Sequence, residues 1–176
     1  RYSIRLFEQC LSDRLGTQTL HMGRFAGIAN SNFSSLDPDW FGVSDSTKQV
    51  GTTDLISLLN LVGEAPITCF KLDIEGWEPV VIRQFRELPK SQLPKLVMFE
   101  YGGGSNRRRN RKGWSPKYLD GTIGCLQTLQ DLGYGQSIMI DYAAGTTARM
   151  FDLQALDLSP DTLFPTNSVY GNILSF

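Results

Sequence analysis

Asp73 and Glu75 stand two positions apart in the run Phe70-Lys71-Leu72-Asp73-Ile74-Glu75-Gly76-Trp77-Glu78-Pro79. Alternate residues of an extended backbone share a face, so the two carboxylates are expected side by side. Gly76 then lets the chain turn sharply. Glu100 closes a second apolar run, Lys95-Leu96-Val97-Met98-Phe99-Glu100-Tyr101, and belongs to the same edge if the two runs are neighbouring strands. Carboxylates gathered this way repel, which raises a pKa or recruits a cation or hydrogen-bond donors. Three uses follow: a general base, a metal ligand, or an acceptor for ligand hydroxyls and ammonium groups. Glu78 has a simpler use, since negative charge is favoured at a helix N-terminus by about 0.3–1 kcal/mol.

The elements that must position these acids are legible from periodicity. Pro66 to Leu72 reads as a buried strand, and Glu78 to Phe85 as a helix with Pro79 in its unbonded first turn. Thr52-Thr53-Asp54 precedes Leu55, Leu58, Leu59 and Val62 at helical spacing, and Gly63 closes that helix. A further helix is expected from about Leu119 to Leu132, with strands over Ser137–Tyr142, Thr147–Leu153 and Gly171–Phe176. Ser3–Leu11 and Thr17–Met22 suggest a hairpin. From Gly23 to Thr47 no period emerges, which predicts a long functional loop. Strands alternating with helices predict a single α/β domain over residues 1–176, with a Rossmann-like, mostly parallel sheet, flanking helices and antiparallel strands near the C-terminus. Ligands in such folds bind at the carboxyl ends of strands, where Asp73 and Glu100 lie.

Composition narrows the function. The 176 residues carry a net charge of −1, so no global field favours nucleic acid or an anionic membrane. No apolar run reaches the roughly 20 residues a membrane span needs. His21 is the sole histidine, and Cys10, Cys69 and Cys125 form no CxxC pair. Histidine or cysteine zinc sites are therefore not expected, and no metal ligand is assigned. Cys10 and Cys69 read as buried thiols in strands, which suits a reducing, cytoplasmic location. A basic stretch from Arg107 to Lys112 follows Gly102-Gly103-Gly104 and reads as a solvated loop or an anion clamp.

The run Lys71-Leu72-Asp73-Ile74-Glu75-Gly76-Trp77-Glu78 closely resembles the K-I-D-V-E-G-x-E signature of FkbM-type S-adenosylmethionine-dependent methyltransferases. Leu11-Ser12-Asp13 with Gly16-Thr17, Thr52-Thr53-Asp54-Leu55 and Val97-Met98-Phe99-Glu100 resemble segments of that family in the same order. The resemblance implies methyl transfer from S-adenosylmethionine to a hydroxyl of a small molecule or glycan. It implies catalytic roles for Asp73, Glu75 and Glu100, and cofactor contacts from Ser12, Asp13 and Asp73. Glu75, Trp77, Asn30 and Ser31 are implied on the acceptor side. The family's V-D-V-G-A-N-x-G strand–turn is not in the sequence, so the chain is expected to be a C-terminal part whose cofactor loop lies upstream. Two rivals remain open: a nucleotide-sugar glycosyltransferase using Asp73 and Glu75 as a D-x-D-like metal site, and a non-catalytic binding module.

Overall fold

The computed structural model describes residues 4–63, 65–102, 116–142, 146–164 and 170–176. They form two mixed sheets with helices. The first sheet contains β1 (Cys10–Leu11), β2 (Gly16–Phe25), β3 (Ile28–Ala29) and β4 (Val43–Thr53), in the order β1-β4-β2-β3. The expected hairpin of Ser3–Leu11 with Thr17–Met22 is not formed. Cys10 and Gly16 both pair with Thr52, so β1 and β2 lie on opposite sides of β4 and Ser12–Leu15 crosses between them. The region expected as a structureless loop from Gly23 to Thr47 also holds strand. β2 runs on to Phe25 and β4 begins at Val43. β4 is exposed throughout Asp45 to Gln49, so that stretch has no buried face to impose an apolar alternation on its sequence.

Asp54 caps α1 (Leu55–Val62) as expected, its Oδ1 accepting from the Ser57 N–H at 2.7 Å. The second sheet follows, with β5 (Cys69–Leu72), β6 (Leu96–Gly102), β7 (Gln136–Asp141), β8 (Thr147–Asp152) and β9 (Tyr170–Ser175) in the order β5-β6-β9-β7-β8. Between β5 and β6 lie α2 (Glu78–Arg83) and a 3-10 turn at Gln84–Glu87. α3 (Pro116–Asp131) precedes β7, and α4 (Pro160–Leu163) follows β8. Only β5–β6 is parallel in this sheet, and β9 runs antiparallel to both β6 and β7. The mostly parallel sheet is therefore corrected to largely antiparallel pairing. The short link from Asp141 to Thr147 forces β7 and β8 into a hairpin, and β9 inserts reversed. The antiparallel strands do fall near the C-terminus.

Leu72, Phe99, Ile173 and Met139 form one buried row across the sheet. They join Val81, Ile82 and Phe85 beside α2 and Leu126 and Leu129 of α3 in one apolar core. The neighbouring row therefore points to the opposite face. β5 is less buried than expected, because Cys69 and Lys71 are exposed on that face while Leu72 is covered. Cys69 is thus not a core thiol, and Cys10 is half-buried, whereas Cys125 is buried. No described helix is long and apolar enough to cross a membrane.

Candidate functional site: an acidic strand edge beside a cleft

The register of the parallel pair brings the acids together. Leu72 pairs with Phe99, so Asp73, just past the end of β5, and Glu100, near the end of β6, stand side by side. Glu100 in turn pairs with Asn172 of β9. Glu75 joins them by a different route from the one its spacing suggested. The backbone does not stay extended: Glu75 has φ 56° and Gly76 has φ 89°. This left-handed turn, not strand alternation, delivers the Glu75 side chain. One carboxylate oxygen from each of Asp73, Glu75 and Glu100 lies within 4.8 Å of the others. Three oxygens at that spacing are close enough to ligate one divalent cation.

Burial and mutual repulsion set the protonation of the group. Burial pushes the Glu75 carboxyl up to about 7, against the opposing Trp40 hydrogen bond, with the Glu78 and Asp73 charges adding to the rise. Glu100 is also raised to about 7, first by burial, then by the Glu75 and Asp73 charges and a hydrogen bond with Asp73 that favours its protonated form. Asp73 is half-exposed and ion-paired to Lys71 at 2.5 Å. Near neutral pH the edge therefore holds groups able both to accept and to give a proton.

Glu78 is not an ordinary exposed cap. It is 4% exposed, and its Oε1 accepts from the Ile74 N–H at 2.9 Å. Burial raises its carboxyl to about 7, although hydrogen bonds from the backbone of Ile74, Glu78 and Gly76 oppose the rise. The side chain thus ties the turn to the first turn of α2.

An open cleft of about 810 Å³ lies against this edge. Asp73, Glu75 and Trp77 face it from the second sheet, and Ser31, Asn32 and Ser34 from the segment after β3. Of the residues expected to contact an acceptor, Glu75, Trp77 and Ser31 line it. Asn30 instead accepts from the Asn32 N–H at 3.1 Å and caps a 3-10 turn. Glu100 reaches the acids from behind, beside Trp40, Glu78 and Tyr118.

Ser12 and Asp13 lie at the seam between the sheets. Ser12 is fully buried, and its hydroxyl accepts from Gln18 Nε2 at 2.7 Å and from Trp77 Nε1 at 3.2 Å. It also donates to Asp13 Oδ1 at 3.1 Å. The Asp13 side chain is exposed and accepts from Gln18. Among the sequence candidates, Trp77 therefore links Ser12 to the cleft. Trp114 and the basic stretch from Arg107 to Lys112 lie outside the described residues.

The sequence pattern did not point to Ser35, Asp37, Trp40, Gln84 or Asn172. The first three sit in the aperiodic region, where an aspartate between aromatics was the only available signal. Gln84 accepts from the Leu55 N–H at 2.9 Å and donates to the Ser12 carbonyl at 2.8 Å, joining α1, the seam and the end of α2.

Fold and site together define a mixed α/β protein with a carboxylate cluster at the end of a parallel strand pair. Compared with protein-family models, curated proteins and solved structures, the chain gives no match.

Proposed function

We propose that this acidic edge is the acceptor side of an S-adenosylmethionine-dependent methyltransferase acting on a hydroxyl of a sugar, glycan or other small molecule. The observation that carries the reading is the convergence of Asp73, Glu75 and Glu100 at the carboxyl edge of β5 and β6, against an open cleft. The arrangement of a parallel pair followed by C-terminal antiparallel strands supports the Rossmann-like reading, as does the K-L-D-I-E-G-W-E run.

The donor chemistry suits the cofactor in one respect. S-adenosylmethionine carries a sulfonium and an α-amino cation, and carboxylates are the natural partners of both. When bound, it supplies the methyl group. Asp73, Ser12 and Asp13 are the residues proposed to hold it, Asp73 through its charge and the other two at the seam. The Ser12 hydroxyl is already occupied by protein partners, so its share is structural: it sets the position of Trp77. The glycine-rich strand–turn of the resembling family is not among the 176 residues.

The chain's own part is positioning and proton transfer. Asp73 is the proposed base: half-exposed at the cleft, it is placed to take the acceptor proton as the new bond forms. Glu100, raised to about 7 and hydrogen-bonded with Asp73, is the proposed partner that takes this proton on when ionised. Glu75 accepts from an acceptor hydroxyl, and the Trp77 indole offers an apolar face to a sugar ring. No lysine or arginine is among the described residues lining this cleft, which favours neutral or amine-bearing acceptors over phosphorylated ones.

The test is methyl incorporation into hydroxylated acceptors, with calorimetric titration of S-adenosylmethionine. Asp73→Asn should lower turnover about a hundredfold or more and, by removing the charge proposed to hold the cofactor, weaken cofactor binding as well. Near-normal turnover would refute the assignment. The carboxylate spacing also favours a second reading, metal-dependent transfer from a nucleotide sugar. A strict requirement for a divalent cation, with sugar rather than methyl transferred, would replace the first reading by the second.

A further inference from the structure

We infer that Trp40 is a positioning residue for Glu75, and that Ser35–Trp40 forms a clamp over the acidic turn. This inference rests on the proposed role of Glu75 only for its consequence in turnover; the clamp itself stands on geometry.

Four contacts converge on two residues of the turn. The Trp40 indole Nε1–H donates to Glu75 Oε2 at 2.6 Å. The Ser35 hydroxyl donates to the Glu75 backbone carbonyl at 2.6 Å. The Trp40 ring lies against Gly76 so closely that a Cβ there would sit 2.3 Å from Trp40 Cε3 and 3.0 Å from Tyr118 Cε1. One side chain is thus bound to the carboxylate, another to the carbonyl, and two rings are pressed on the glycine. A non-glycine residue such as Glu75 holds φ 56° only when its surroundings enforce it. The clamp supplies that enforcement.

The clamp is anchored at its far side. Tyr118 of α3 meets the Trp40 ring edge-on at 4.9 Å between centroids. Its hydroxyl donates to Asp37 Oδ2 at 3.2 Å, and Lys117 Nζ donates to Asp37 Oδ1 at 2.7 Å. Asp37 is 1% exposed, and its own N–H donates to Ser35 Oγ at 2.9 Å. Ser35 therefore accepts from Asp37 and donates to Glu75, so its hydroxyl is fully oriented. Trp40 is itself only 7% exposed, which keeps water from competing for its N–H. The indole N–H aims one particular Glu75 oxygen, leaving the other for the cleft that Glu75 lines.

Nuclear magnetic resonance of the indole N–H groups tests this directly. The chain has three tryptophans, so three signals, assignable by single Trp→Phe changes. The Trp77 indole, which donates to Ser12 Oγ at 3.2 Å, serves as an internal comparison. In the wild-type chain the Trp40 proton should lie downfield of that of Trp77, as a short bond to a carboxylate requires. Glu75→Gln should move the Trp40 signal upfield and speed its exchange with solvent about tenfold, with the Trp77 signal held. A Trp40 signal unchanged in both respects overturns the clamp.

This arm needs no substrate, so it decides the clamp even if methyl transfer proves to be the wrong reaction. In an active enzyme, Trp40→Phe should lower kcat about tenfold or more through loss of aim and leave cofactor affinity unchanged. Ser35→Ala, which keeps the ring packing, should act in the same direction. Full kcat in Ser35→Ala together with an unmoved indole signal would leave Trp40 as core filling alone.

Discussion

Asp73 and Glu78 show how the same carboxyl group serves opposite ends within one turn. Asp73 stands half in solvent, paired with the equally exposed Lys71. Such a pair contributes about 0–1 kcal/mol, so Asp73→Asn should leave thermal stability nearly unchanged while removing the proposed base. A melting temperature lowered by more than about 2–4 °C, the mark of roughly 1 kcal/mol in a domain of this size, would show that Asp73 is structural. Glu78 is the reverse: covered, and bonded to the backbone of the turn. The sequence exposed the cluster because register alone carries Asp73 to Glu100 once the two apolar runs are taken as neighbouring strands. It concealed how Glu75 arrives, since a left-handed residue before a glycine has no periodic signature. It also concealed Trp40 and Ser35, which lie 35 and 40 positions from their partner and in a stretch without pattern.

Elements with a buried face were legible, and those without were not. α1 has an aspartate cap, a leucine-rich body and a closing Gly63, and β5 and β6 are apolar runs. The ribbon of β2 with β4 is solvent-facing over much of its length, so pairing decides it rather than an apolar alternation. Strand direction was equally hidden, because a run such as β9 reads the same whether it enters parallel or antiparallel. The joints between elements are single polar side chains. Gln84 is the clearest, buried where the end of α2 meets α1 and the Ser12 seam. Gln84→Ala leaves the Leu55 N–H and the Ser12 carbonyl without that partner, each costing about 1–3 kcal/mol if it stays buried and unpaired. The expected loss is therefore about 2–4 kcal/mol in urea unfolding, with faster amide exchange concentrated in α1. A loss under about 0.5 kcal/mol would mean that the joint is not needed.

Across the whole molecule, the crowding of acids couples folding to pH. Glu75, Glu78 and Glu100 are each raised from an ordinary 4.5 to about 7, chiefly by burial. Their interaction makes the protons belong to the group more than to any one member. The folded chain therefore retains protons that the unfolded chain has released between these values. Where the folded state binds more protons, stability falls as pH rises. The contribution is fully present below about 4.5, declines through about 7, and is level above it. For Glu78 alone the span corresponds to about 3 kcal/mol, and the other two, less buried, add smaller amounts. Asp131 moves the opposite way, its carboxyl lowered by hydrogen bonds from Gln127 and Arg86, but its window lies at more acid pH. Urea unfolding at pH 5, 6.5 and 8 should thus give steadily decreasing stability. Glu78→Gln, neutral at every pH, should flatten that decline, because a deprotonated Glu78 no longer has to be accommodated within the turn. A wild-type chain that gains stability from pH 5 to 8 would show that the three carboxyls are ionised in the folded state. Proton sharing at the edge, and with it the proposed pairing of Asp73 as base with Glu100 as partner, would then have no physical basis.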